Sequence, residues 1–373
     1  MSDEAPPEPD RQDGAPHPRD TQQIFGHANA EATLLDAYNA GRMHHAWLIS
    51  GPRGVGKATL AWRFARFLLA TPMADSGGMF AAPQPDSLDI SGDHPVARRM
   101  LAMSEPGLFL LRRPWDDKLK RHKTELTVDE VRGLKSFFQM SAGGNGRRVV
   151  IVDSADDMNR NAANALLKEL EEPPKNATLI LISHQPSGLL PTIRSRCRSL
   201  RLGALSSDDL ARALDQAGVQ PPTDANMAEL AGGSVGEAVR LAALDGPKLY
   251  ADLVALFSDL PRMDRGRAGR LADACVGRGA EPRFDLTLSL LDRILSRLAL
   301  TGTVGTPPSE IVNGEARMLL RLSPTPHAAR NWADTAQGLT ARARRGKAVN
   351  LDPAALVFDM FLSLERTAVG AAA

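Results

Sequence analysis

One stretch constrains this chain more than any other. Residues 46–49 form a short apolar run, Gly51-Pro52-Arg53-Gly54-Val55-Gly56-Lys57 forms a glycine-rich turn, and residues 59–69 resume helical periodicity. The turn matches G-x-x-x-x-G-K, in which glycines let backbone N–H groups wrap phosphate oxygens and the lysine neutralises them. Strand, glycine loop and helix in that order open an α/β nucleotide domain. Further apolar runs at 108–111, 148–152, 178–182 and 200–202 alternate with helical patterns at 30–40, 128–139 and 161–170. Strands that read as continuous apolar runs between helices predict a parallel five-stranded sheet covered on both faces, with ligand at the carboxyl ends of its strands. This domain is expected over residues 21–203.

The rest of the chain reads differently. Residues 1–20 hold five prolines and six carboxylates with almost nothing apolar, which predicts a disordered tail. Residues 71–104 are rich in Pro, Gly, Asp and Ser, with a weak helical signal at 96–103, and read as an insertion. After Gly203 the strand signal stops. Ser206 with Asp209, and Ser234 with Glu237, read as helix starts, and Gly218 as a stop, giving a three-helix lid over 204–246. Leucines at helical spacing from 249 to 370 predict a third, all-helical domain.

Composition narrows the function classes. With 45 basic against 44 acidic residues, any nucleic-acid contact must come from a local patch. Two such runs exist, Arg112, Arg113, Lys118, Lys120, Arg121 and Lys123 around Trp115, and Arg342, Arg344, Arg345 and Lys347. Either could meet DNA phosphates or be solvated surface, and neither has the aromatic interleaving of a single-strand platform. Two cysteines, Cys197 and Cys275, supply neither a disulfide framework nor a four-cysteine zinc module, so no metal site is expected. Cys197 has no readable His/Asp partner and is expected to be a small buried residue; His27, His44 and His45 are read as structural. No apolar stretch of about 18 residues and no basic-then-apolar leader is present, so a cytoplasmic protein without membrane contact is expected.

The nucleotide motifs are incomplete. The residue after Lys57 should carry a hydroxyl for Mg²⁺, yet it is Ala58, and Thr59 lies about 100° further round the helix. Asp153 ends the 149–152 run where a second Mg²⁺-side carboxylate belongs, but Ser154 follows in place of a water-polarising Glu, with Asp156 beyond it. Such a site should hydrolyse ATP poorly or not at all. The phosphate-site residues are thus Gly51, Gly54, Gly56, Lys57, Ala58, Thr59 and Asp153.

His44-His45-Ala46-Trp47-Leu48-Ile49-Ser50-Gly51-Pro52, then Asn164-Ala165-Leu166-Leu167-Lys168-Glu169-Leu170-Glu171-Glu172-Pro173-Pro174, then Ser195-Arg196-Cys197 resemble the clamp-loader branch of the AAA+ ATPases. The resemblance covers residues 24 to about 245 and extends more loosely to the C-terminal helices. It implies an AAA+ α/β domain, a helical lid and a C-terminal collar that holds an oligomer together. It also implies a subunit of the replicative DNA-directed DNA polymerase (a nucleotidyltransferase) assembly. Partners would be motor subunits and a clamp-opening subunit in a hetero-pentamer, the sliding clamp, and primed DNA through the complex. Hydrolysing members carry an Arg in a Gly-Ser-x-Arg turn, where this chain has Gly236. Arg196 is retained, and the resemblance makes it a finger on the γ-phosphate of a neighbouring subunit. A chain keeping that arginine while losing Ser/Thr, Glu and Arg in its own site resembles a stator, with ATP held weakly or structurally, Mg²⁺ doubtful and no zinc. The competing readings are a self-sufficient AAA+ ATPase using Thr59 and Asp156, and a small-molecule P-loop kinase.

Overall fold

Five parallel strands carry the first part of the chain because their residues alternate between two apolar layers. A computed structural model describes residues 8–71, 84–139, 146–219, 225–277 and 279–371. The strands β1 (Ala46–Ser50), β2 (Leu108–Arg112), β5 (Arg148–Asp153), β6 (Ala177–Ser183) and β7 (Arg198–Arg201) lie in the order β2-β5-β6-β1-β7. Trp47, Ile49, Val149, Ile151, Ile180 and Ile182 enter one core with Leu34, Leu60 and Phe64, whereas Ala46, Leu48, Val150, Val152, Leu179 and Leu181 enter another with Leu134, Leu166 and Ile193. That is the two-residue period of a pleated strand buried on both sides. The first core takes the helices α1 (Ala28–Asn39), α2 (Lys57–Ala70) and α3 (Pro95–Leu101), and the second α4 (Val128–Gln139), α5 (Arg160–Glu171) and α6 (Pro191–Arg196). On α2, Leu60, Trp62, Phe64, Phe67 and Leu68 are all within 1% of full burial, each contributing about 1.5–3 kcal/mol.

The five expected strands and the α/β class are present. A two-residue antiparallel hairpin, β3 (Trp115–Asp116) with β4 (Arg121–His122), interrupts the basic run and leaves no trace in the hydrophobic pattern. The weak helical signal in the insertion is α3, begun by His94, whose Nδ1 accepts from Val96 N, and by Pro95. Residues 72–83 of the insertion and 1–7 of the tail lie outside the described residues. Residues 8–20 depart from the disordered tail that their composition suggests. They include a 3₁₀ turn, Pro18–Asp20, and His17 is 1% exposed. Their order comes from ion pairs to distant residues, which local composition does not register.

Packing divides the chain into two compact units, Met1–Pro221 with Gly232–Glu237, and Pro222–Ala231 with Ala238–Ala373. The three helices expected between 204 and 246 exist as α7 (Ser207–Gln216), α8 (Ala225–Ala231) and α9 (Val235–Ala243), but they do not form a compact unit of their own. Ser206 and Ser234 accept from Asp209 N and Glu237 N as helix caps do.

The second unit continues as α10 (Gly246–Ser258), α11 (Arg265–Asp273), α12 (Glu281–Val304), α13 (Glu315–Leu322), α14 (Pro326–Ala348) and α15 (Pro353–Ala371). Among its described residues there is no strand. Its core includes Trp332, whose indole N–H reaches Leu322 O at 2.8 Å, and the buried group Tyr250, Arg297 and Glu315. No described helix is long and apolar enough to cross a membrane.

Candidate functional site

Parallel register sets Ser50 beside Ser183 and Val152 beside Leu181, so β1, β5 and β6 end along one rim. That rim brings together the glycine loop, Asp153 and His184. The loop turns through Gly54 (φ +73°) and Gly56 (φ +99°), and Gly56 caps α2, aiming the free N–H groups of the helix start at the cleft. Lys57 is 3% exposed, and its ammonium donates to Gly51 O (2.7 Å) and Pro52 O. Burial lowers its pKa to about 8, against the opposing pull of Asp153 and Asp156. His27, expected to be structural, braces the loop: its Nε2 lies 2.7 Å from Val55 O, which can only accept, so that nitrogen carries the proton.

Gly51 has a separate reason to be glycine. A Cβ there would stand 2.3 Å from Leu202 O, and that residue is tied to β1 by its N–H, which donates to Ser50 O at 2.8 Å. Gly51→Ala is therefore expected to cost at least about 1–3 kcal/mol through overpacking. Thermal unfolding checks this against Gly188→Ala, where a Cβ meets nothing within 4 Å. Equal midpoints for the two variants would contradict the close approach.

The cleft above the loop has a volume of about 390 Å³. Its lining includes apolar Ile24, Phe25, Leu205 and Ala213 and polar Lys57, Thr59, Asp153, Asp157 and His184, with Ala58 beside Lys57. Burial, followed by the charges of Asp10 and Asp157, raises the Asp153 pKa to about 7. His184 is pushed down to about 4 by burial, then by Lys57 and Arg53, so it is neutral at pH 7, and its buried Nδ1 has no hydrogen-bond partner. The loop's N–H groups and Lys57 fit a nucleotide phosphate. A divalent cation fits poorly, since Ala58 offers no oxygen and Asp153 holds its proton near neutrality.

Asp156 is not a spare catalytic carboxylate. It accepts from Ser183 Oγ (2.8 Å), His184 N (2.5 Å) and Gln185 N (3.1 Å), fastening the end of β6 to the turn after β5. The Gly-Ser-x-Arg position is equally closed. Ser234 donates to Arg53 O (2.9 Å), Gly236 N to Gly54 O (3.3 Å), and a Cβ on Gly236 would lie 3.1 Å from the Gly54 Cα.

Arg196 ends α6, outside this cleft's lining, with a side chain 36% exposed. It donates to Thr192 O (3.0 Å) and pairs with Glu171 of α5 (2.9 Å). Arg198 is engaged differently, with its guanidinium over the Trp47 ring at 5.0 Å. Cys197 is half-buried, with its thiol pushed up to about 12 by desolvation, which suits a packing residue and not a nucleophile.

Much of the basic surface is already ion-paired. Arg112 meets Asp10 (2.6 Å), Arg113 meets Asp157 (3.4 Å) and Lys123 meets Glu130 (3.6 Å). Arg342 meets Asp359 (2.9 Å), and Lys347 meets Glu281 (2.9 Å). Sequence reasoning missed Asp10, Arg113 and His184 as cleft residues. Arg113 and His184 did carry a signal, their place just past a strand's carboxyl end.

The profile of the family described as "DNA polymerase III, delta subunit" matches residues 26–206. The chain is 39% identical over 203 residues to DNA polymerase III subunit delta' of Pseudomonas aeruginosa, covering 53% of this chain and 55% of that one. It is 34% identical over 165 residues to the delta' subunit of Escherichia coli, covering 44% of each. It thus spans about half the length of the curated relatives it matches. A gamma subunit-related protein from Thermotoga maritima aligns with 90% of this chain and 99% of its own at 17% identity and a TM-score of 0.40, and the fold is read from the strand order instead. The incomplete glycine-loop site, the Ser195-Arg196-Cys197 turn and the match over residues 26–206 converge on one resemblance: over that span the chain is similar to the delta' subunits of DNA polymerase III.

Proposed function

We propose that this chain is the delta' (stator) subunit of a DNA polymerase III clamp loader. It joins motor subunits and a clamp-opening subunit in a hetero-pentamer, holds the assembly through its C-terminal helices, and helps place the sliding clamp on primed DNA. It contributes Arg196 to the ATP site of a neighbouring subunit while its own site turns over no ATP. The observation that carries this reading is the contrast between the two places. The chain's own loop lies beside Ala58, Ser154 and Gly236, with Asp156 engaged structurally, whereas Arg196 is retained at the end of α6, outside that cleft, half-buried and held by Thr192 O and a surface pair with Glu171. A self-sufficient ATPase would need Asp156, which already accepts three hydrogen bonds from residues 183–185, and no observation favours a metabolite kinase.

The first test is DNA-stimulated ATP hydrolysis by the purified chain, with Lys57→Ala as control. No Lys57-dependent turnover is expected. Turnover that disappears in Lys57→Ala would make the chain a motor and overturn the stator reading.

A further inference from the structure

Residues 8–20 should by composition be solvated, yet several of their side chains are tied to distant parts of the chain. His17 packs edge-on against Trp62 (ring centroids 5.5 Å apart), and its Nδ1 accepts from Arg19 N. Arg66, itself buried in α2, donates to Arg19 O at 2.7 Å. Asp10 has a side chain only 1% exposed, between Arg112 (2.6 Å) and His17 Nε2 (3.2 Å). Glu8 closes the group by bridging Arg19 (2.5 Å) and Arg112 (3.2 Å). A carboxylate stays buried only when such partners replace its water, so Asp10 holds a specific place.

That place is the cleft. Arg112 ends β2 directly opposite Asp153 in register, and the Asp10 charge is one reason the Asp153 carboxyl is pushed up. Asp10, Gln12 and Pro16 line the same cavity as Lys57, Thr59 and Asp153. A polyphosphate entering there would meet the Asp10 carboxylate, with the Arg112 guanidinium already engaged.

We propose that residues 8–20 are a built-in wall of the phosphate-loop cleft that opposes phosphate: Asp10, held by Arg112 and beside His17, sets its carboxylate at the Asp153 side, so that a nucleoside di- or triphosphate binds tightly only when the segment is released. This goes beyond the stator reading and does not depend on Arg196. It gives the glycine loop and Lys57 a retained capacity for phosphate that the chain's own carboxylate opposes.

The test uses the full chain and a fluorescent probe, N-methylanthraniloyl-ADP, titrated with and without Mg²⁺. Glu8→Gln with Asp10→Asn keeps the shapes and removes the charges that Arg112 and Arg19 hold. The double variant is expected to bind the probe at least tenfold more tightly than the unaltered chain, and adding Lys57→Ala is expected to abolish that gain. Tryptic cleavage after the exposed Arg11 supplies a second reading on the unaltered chain, independent of how the variant folds. Millimolar ADP is expected to accelerate that cleavage by releasing the segment. Probe affinity that is unchanged or weaker in the double variant, absence of probe binding by both chains, or ADP that protects Arg11 or leaves its cleavage unchanged would each overturn the proposal.

Discussion

Replacing Glu315 with alanine is expected to destabilise the helical unit by about 3–5 kcal/mol, the cost of leaving a buried charge without its partner. Glu315 is fully buried at the start of α13 and serves three donors from three places in the chain. Its Oε1 accepts from Arg297 Nε (2.7 Å) and from the Tyr250 hydroxyl, and its Oε2 accepts from Ile311 N (2.7 Å). Arg297, 6% exposed, would keep Ser309 O and a longer contact to Glu229 (3.4 Å), but its main counter-charge would be gone. Burial and the Glu315 bond both raise the Tyr250 pKa, so that hydroxyl stays protonated and would be left a donor without an acceptor. Thermal unfolding is the check. At about 2–4 °C per kcal/mol, the transition of the helical unit should fall by roughly 10 °C. Combining Glu315→Leu with Arg297→Met and Tyr250→Phe should recover most of the loss, because apolar groups of similar volume can replace a buried ion pair at little cost. A single variant that melts like the unaltered chain would show that the three elements are held by packing alone.

How much of this could be read in advance follows from where each element gets its stability. The strands β1, β5 and β6 were legible because both faces are buried, which writes four or more mostly apolar residues in a row, as in Val149-Val150-Ile151-Val152, whereas β7 (Arg198–Arg201) buries only Leu200. Helix starts at Ser206 and Ser234 were legible because a cap is a local device. The β3–β4 hairpin was not, since two paired residues leave no periodicity. Residues 8–20 were misread because their order depends on Arg66 and Arg112, far along the chain.

The site divides in the same way. Gly51, Gly56 and Lys57 announce themselves by spacing, and the losses at Ala58, Ser154 and Gly236 were visible against it. Asp156 as a catalytic substitute was a plausible sequence reading. Its three bonds to residues 183–185 arise only when β5 and β6 lie side by side, so tertiary pairing alone shows that it is a fastener.

The central claim is that this chain acts through Arg196 on a nucleotide it does not itself hold. An arginine finger is worth about 10³–10⁵ in turnover where it has been removed and restored in related phosphoryl-transfer sites. Arg196→Ala should cost this chain little, because its ion pair with Glu171 is largely solvent-exposed and such pairs contribute about 0–1 kcal/mol. Folding and assembly are therefore expected to survive while chemistry at the adjacent site fails. Arg196→Lys should not rescue it, since an ammonium lacks the planar fork that grips two phosphate oxygens. The most direct measurement is single-turnover ATP hydrolysis by the reconstituted assembly, with Arg196→Ala in this subunit alone. The account predicts an intact assembly whose adjacent site slows by about 10³-fold or more; unchanged hydrolysis in a fully assembled variant would contradict it.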